Sequence, residues 1–317
     1  MAKTLVYQIW PLAWGGLNEM AQHLGRVKKL GTDYVWLGPI YLIPNYSCDD
    51  GLYGYKTIDQ RFGTMQDFDQ FMSVAHELGL KVLMELSVDP VYPYLSHAHQ
   101  SRWFNEGRIN HKLVRTFQSI VKFWLHKHQV DGFSIKLSQN TDEDIVSGKA
   151  KFPNTMSNAQ ATTIINEIFS STSAKTSKGE DPFLVIECFD ASCDSLVDYY
   201  HCYGMANLVM NRAVRNAIEN GLGNFKSKLI TSSKNSNFML GLESPNTARF
   251  ATRSRLSPEE VISLMFDPVV DAKAICIYQG QEMGCVKSTR KHLPMELYHQ
   301  HGYCDQCRML VERWKKR

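Results

Sequence analysis

Short apolar runs rich in β-branched and aromatic residues recur along the chain, and between them apolar residues return at every third or fourth position. The runs are Val6-Tyr7-Gln8-Ile9, Tyr34-Val35-Trp36-Leu37, Lys81-Val82-Leu83-Met84-Glu85, Gly132-Phe133-Ser134-Ile135, Phe183-Leu184-Val185-Ile186, Asn207-Leu208-Val209-Met210, Phe238-Met239-Leu240 and Ala274-Ile275-Cys276-Ile277-Tyr278. Their length and composition are those of strands. Phe68, Phe71, Ala75 and Leu78, and again Val114, Phe117, Val121 and Trp124, form the core-facing stripe of amphipathic helices. Strands alternating with helices predict βα units around a parallel sheet, and eight such strands predict an α/β fold: a closed (β/α)8 TIM barrel ringed by helices. The polar stretch 170–180, Ser-Ser-Thr-Ser-Ala-Lys-Thr-Ser-Lys-Gly-Glu, predicts an exposed loop after a helix.

Composition narrows the function classes. With 317 residues, 44% hydrophobic and 21% charged, the chain has enough apolar material for one large core, and a single domain over 1–317 is expected. A net charge of +3 and a pI near 8.3 are too mild to call for nucleic acid, and the basic run Trp314-Lys315-Lys316-Arg317 reads as a solvated helix end. No apolar run approaches the ~18 residues of a membrane span, and Met1-Ala2-Lys3-Thr4-Leu5 lacks a leader's apolar stretch, so a cytoplasmic protein is expected. The eight cysteines are scattered, as reduced thiols are. Cys304 and Cys307, with His299 and His301 upstream, have a spacing zinc could use, but a structural site takes four well-placed ligands. Neither a metal nor another cofactor is expected.

Several longer stretches carry a family resemblance. They are Tyr7-Gln8-Ile9-Trp10-Pro11, Leu30-Gly31-Thr32-Asp33-Tyr34-Val35-Trp36-Leu37-Gly38-Pro39-Ile40-Tyr41, Ile58-Asp59-Gln60-Arg61-Phe62-Gly63-Thr64-Met65, Phe123-Trp124-Leu125, Val130-Asp131-Gly132-Phe133 and Ile277-Tyr278-Gln279-Gly280-Gln281-Glu282-Met283-Gly284. In order and spacing the chain resembles the α-amylase family of glycoside hydrolases (family 13), on its oligo-1,6-glucosidase and α-glucosidase side. The resemblance implies a barrel whose mouth retains two catalytic carboxylates ~5 Å apart across a glycosidic bond, with a third carboxylate supporting the developing positive charge.

Position by position, that implied site is altered. The family pattern Asp-Gly-Phe-Arg-x-Asp, which ends in the nucleophile, is here Asp131-Gly132-Phe133-Ser134-Ile135-Lys136: Ser134 stands at the arginine position and Lys136 at the nucleophile position. A lysine ammonium forms no glycosyl ester and repels an oxocarbenium-like transition state. Glu187, closing Phe183-Leu184-Val185-Ile186-Glu187, matches the general acid, but a nearby Lys136 would hold it ionised. With Arg249 and Arg253 aligned on the family's arginines, Asn246 takes the place of the transition-state aspartate; a second register sets Glu243-Ser244 there instead. After the third strand, Glu85-Leu86-Ser87-Val88-Asp89-Pro90 replaces Asp-x-x-x-Asn-His, leaving Glu85, Asp89 and Arg249 as possible substrate-binding residues. A long loop over about 89–110 stands where the family inserts a small domain, and no C-terminal β-sandwich is expected.

The expectation is therefore a catalytically inactive member that binds an α-linked glucose oligosaccharide or a protein partner, with neither membrane nor nucleic acid involved. Two chemical alternatives stay open. Glu85, Asp89 and Glu187 would supply an inverting pair if two lay ~6.5–9.5 Å apart, and Lys136 would serve as a Schiff-base lysine if its pKa were depressed. Trp10, Tyr41, Tyr53 and Trp103 are candidate sugar-stacking aromatics.

Overall fold

The computed structural model describes residues 3–42, 53–88, 104–105, 108–136, 158–170, 174–188, 208–211, 238–245, 249–250, 256–266, 272–285 and 311–312. Within them lie eight parallel strands: β1 (Thr4–Ile9), β2 (Tyr34–Leu37), β3 (Lys81–Ser87), β4 (Gly132–Lys136), β5 (Phe183–Cys188), β6 (Leu208–Asn211), β7 (Phe238–Gly241) and β8 (Ala274–Tyr278). Every run read as a strand from the sequence is one. The hydrogen-bonded order is β1-β8-β7-β6-β5-β4-β3-β2, and β1 also pairs with β2, so the curled sheet meets itself. A two-residue antiparallel ladder joins Phe104–Asn105 to Arg108–Ile109 within the segment read as a long loop.

Strand parity sorts the side chains into two cores. Leu5, Tyr7, Ile9, Val35, Leu37, Val82, Met84, Leu86, Phe133, Ile135, Leu184 and Ile186 join the large core shared with the helices. The alternate positions Val6, Trp36, Leu83, Val185, Met239, Ala274 and Cys276 form a separate cluster, the filling of the sheet's concave side. Near-continuous apolar strands are what two covered faces require.

Helices α1 (Leu17–Lys29), α2 (Met65–Glu77), α3 (His111–Lys122), α4 (Asn158–Phe169) and α5 (Pro258–Met265) are described, α1 packing on α2 and α3 on α4. Each buries the stripe its sequence predicts: Leu17, Met20, Leu24 and Val27 in α1, Phe68, Phe71, Met72 and Ala75 in α2. Capping boxes start α2 (Thr64 with Asp67) and α5 (Ser257 with Glu260), each side chain taking the other residue's backbone N–H. After α3 the chain runs into a π-helical turn, Phe123–Lys127, which buries Trp124 and Leu125.

Acidic residues just ahead of the strands tie neighbours together at the N-terminal end. Asp33 accepts the Leu5 N–H at 2.9 Å, and Asp131 accepts the Val82 N–H at 2.8 Å while holding His76 Nε2 at 2.9 Å. Gly132 follows because the β5 backbone lies against it: a Cβ there would sit 2.0 Å from the Phe183 carbonyl oxygen. Phe133 turns outward into the helix-side core, its ring 5.9 Å from that of Phe169. Asp131, Gly132 and Phe133 thus each have a folding role.

Beyond α4, the stretch read as an exposed loop is a tight turn over its described part. Thr176 and Glu180 are joined by two hydrogen bonds, and Ala174 and Thr176 are buried beneath the exposed tip.

Candidate active site

Polar residues enter the concave side only toward the C-terminal ends of the strands. Gln8, Glu85 and Ser134 each lie two positions beyond an interior residue or a glycine (Val6, Leu83, Gly132), and they are 1%, 3% and 0% exposed. β3 and β4 pair in a register that sets Glu85 beside Ser134. Gln8 Oε1, Trp36 Nε1 and Ser134 Oγ have no protein hydrogen-bond partner among the described residues. Since nearly all buried polar atoms are satisfied, one N–H donor, one carbonyl acceptor and one hydroxyl here are left to small polar species such as water or hydroxyls. The signal for them in the sequence was a polar residue breaking an apolar strand, at position 8 and again at 134.

Two of the candidate catalytic positions, 136 and 187, meet in the backbone register. Ser87 pairs with Lys136, and Lys136 pairs with Glu187, across β3, β4 and β5. Adjacent strands are about 4.8 Å apart, so positions 136 and 187 are nearest neighbours. Position 136 lies two residues past Ser134, and position 187 two past Val185. Asp89, Asn246, Trp103, the side chain of Tyr53 and the Cys304/Cys307 pair with its histidines lie outside what is described.

Arg249 is held inside the protein. Its Nη1 donates to Glu243 Oε2 at 2.6 Å and its Nη2 to the Gln279 carbonyl at 3.0 Å, with both side chains of the ion pair 3% exposed. The other Glu243 oxygen accepts the Phe250 N–H at 2.9 Å. Burial works to lower the guanidinium's pKa, and the Glu243 carboxylate outweighs it, leaving it raised. The guanidinium also lies 5.0 Å from the centre of the Tyr278 ring. Burial, only partly offset by Arg249, pushes the Tyr278 phenol up to about 12. Glu243 and Ser244 are likewise buried, Glu243 as the partner of Arg249.

The turn after β8 fastens that strand to β1. Gln279 Oε1 accepts from the Trp10 N–H and from Trp14 Nε1, while its own N–H donates to the Gln8 carbonyl. Gly280 and Gly284, at φ 84° and 68°, bracket a short 3₁₀ turn that buries Gln281 and Glu282. Glu282 accepts the Tyr7 hydroxyl at 2.7 Å, and complete burial raises its pKa against that hydrogen bond.

Of the aromatics considered for stacking, Tyr41 is buried against Tyr55, ring centres 4.8 Å apart, and its oxygen accepts the Ser87 N–H. Tyr55 Oη in turn donates to the Ser87 carbonyl at 2.8 Å, so the pair braces the end of β3. Trp10 is half-buried. Among the described residues no group of three or more metal-ligating side chains occurs, and no helix is long and apolar enough to cross a membrane.

Comparison with known proteins agrees with this geometry. A family model described as "Alpha amylase, catalytic domain" matches residues 10–110. An α-glucosidase from Pediococcus pentosaceus is 35% identical over 111 residues, 32% of this chain and 20% of that protein. A probable oligo-1,6-glucosidase 3 from Bacillus subtilis is 32% identical over 114 residues, 33% of this chain and 20% of that protein. The matched region thus spans about a fifth of these relatives' length. In three dimensions the maltogenic α-amylase AmyB from Thermotoga neapolitana superposes with a TM-score of 0.70 at 18% identity, covering 99% of this chain and 76% of that one. The fold is shared over the whole chain and sequence kinship is concentrated in its first third. Over residues 10–110 the chain is similar in sequence to the α-amylase family of glycoside hydrolases, and its fold is similar to that of a solved α-amylase.

Proposed function

We propose that this protein is a non-hydrolytic α-amylase-family barrel, a single (β/α)8 domain over 1–317 that binds an α-linked glucose oligosaccharide in its mouth or presents the barrel to a protein partner. The observation that carries the reading is the register of Lys136 beside Glu187. A retaining glycosidase needs a carboxylate nucleophile and a protonated acid on facing sides of the bond. A lysine at position 136, one strand from the acid position, would favour the ionised acid and oppose an oxocarbenium ion. Ser134 in the arginine position supports the same reading, because its hydroxyl is uncharged and fully buried. Unpartnered polar atoms at Gln8, Trp36 and Ser134 suit a hydroxyl-rich ligand or the waters beneath one.

The test is glucose release from maltose, isomaltose and short maltodextrins over long incubation, with the native chain and Glu187→Gln in parallel, followed by calorimetric titration with maltotriose. No release above the variant, together with measurable binding, is the expected result. Release that disappears in Glu187→Gln would establish the alternative, an α-glucosidase-like hydrolase with an altered carboxylate set drawing on Glu85, Asp89 and Glu187. Glu85 favours that alternative to the extent that a buried carboxylate does lie at the end of β3.

A further inference from the structure

The exposed face of α3 and its π-helical extension is strongly basic. From residue 107 to 130 there is no aspartate or glutamate, against Arg108, Lys112, Arg115, Lys122 and Lys127. Leu113, Val114, Phe117, Ile120 and Val121 are buried against the core, which leaves His111, Lys112, Arg115, Ser119, Lys122 and Lys127 exposed. Lys56 joins the stripe from another segment, its ammonium 2.8 Å from Ser119 Oγ.

Folding stability does not account for this arrangement. Cations near a helix C-terminus oppose the dipole's negative end, which suits Lys122 and Lys127, but Lys112 and Arg115 occupy the first turns, where positive charge is unfavourable. The boxed helices, α2 and α5, do what stability asks and place Asp67, Glu259 and Glu260 there. Lys112 and Arg115 are like charges at i, i+3, which repel. Neither they nor Lys122 forms an ion pair among the described residues, and the nearby acid Asp69 is engaged with His128 at 2.6 Å.

We infer that the α3 face is a docking surface for an acidic helical segment of a partner protein. From Lys112 through Arg115, Lys56 on Ser119, and Lys122 to Lys127, positive groups recur along about 22 Å at 1.5 Å per residue. Carboxylates at i and i+4 on a facing helix rise about 6 Å per step, a spacing that matches the stripe. A membrane surface fits less well: an interfacial helix inserts large apolar residues, and the exposed large hydrophobics among the described residues, Leu12 and Leu42, are on other segments. Single-stranded nucleic acid would use a free aromatic platform, whereas the Phe123 ring is covered by Lys56 and Lys127 at 5.6 and 5.4 Å.

The test uses the full chain and a fluorescein-labelled alanine-based helical peptide of about 16 residues with glutamates at i, i+4, read by fluorescence anisotropy at low and moderate salt. Lys112→Glu/Arg115→Glu is compared with Lys28→Glu/Lys178→Glu, which changes net charge equally at other sites. The expected result is a loss of affinity of about tenfold or more confined to the α3 variant, with an unchanged or higher melting temperature because acidic residues now occupy the first turn. Equal losses in both variants, or tighter binding to phosphatidylserine vesicles or oligo-uridine than to the peptide at matched charge concentration, would overturn the inference.

Discussion

Removing Arg249 distinguishes a residue that holds the barrel together from one that grips a ligand. In Arg249→Met the Glu243 carboxylate, 3% exposed, keeps the Phe250 N–H at 2.9 Å while its 2.6 Å ion-pair partner is lost. Breaking a buried pair from one side costs about 3–5 kcal/mol, since the remaining charge loses its ion-pair partner without regaining water. The Gln279 carbonyl loses its donor as well, which adds to the upper end of that range. In Glu243→Gln/Arg249→Met the carboxylate is gone and the amide oxygen still accepts from Phe250. The double variant should therefore be more stable than Arg249→Met by about 2 kcal/mol, the mark of charge left buried rather than of lost packing. Urea unfolding followed by circular dichroism, with m-values compared, measures both steps. An Arg249→Met protein within about 1 kcal/mol of the native chain that no longer binds maltotriose would refute the structural reading and make Arg249 a ligand contact.

Further outcomes follow from other contacts. Gly132→Ala places a methyl 2.0 Å from the Phe183 carbonyl oxygen, so β4 and β5 must separate, and a loss of at least ~3 kcal/mol or failure to fold is expected in the same assay. Tyr7→Phe deprives buried Glu282 of its hydroxyl donor and should cost about 1–3 kcal/mol. Glu282 has a folded pKa raised above its ordinary 4.5, so its contribution to stability is complete below that value and is lost as pH rises through the folded pKa; Glu282→Gln should remove that slope from a melting-temperature series run from acid to neutral pH. A native slope unchanged by the substitution would mean that the carboxyl is not buried as described.

Much of the barrel was legible because strand and helix periods are written in single residues. The eight runs became eight strands, with β2 and β8 bounded as read, since two-faced burial makes a strand a contiguous apolar word. The site was legible only by position. Ser134 lies in the middle of β4, Lys136 at its C-terminal end and Glu187 next to the end of β5, and the register adds that positions 136 and 187 are adjacent. What the sequence could not convey is pairing across distance. That Arg249 is bound by Glu243 and by the carbonyl of Gln279, thirty residues on, depends on how β7 and β8 turn at their ends, for which no local pattern exists. The same holds for Tyr41, which looked available for sugars and instead, together with Tyr55, braces Ser87.

These contacts bear on how a family motif should be weighed. Asp131 caps the Val82 N–H, Gly132 admits the β5 backbone, Phe133 fills the helix-side core, and Gln279 and Glu282 lock β8 to β1. Each would be needed by a barrel that performs no chemistry. Their presence is therefore evidence for the fold and carries no information about turnover. On the reading proposed above, Ser134 and Lys136, in the same five-residue strand, are the positions whose identity bears on the reaction. The matched motif and the proposed alteration of the site are consequently two independent statements, one about packing and one about chemistry, and the second is the one that hydrolysis assays on Glu187→Gln address.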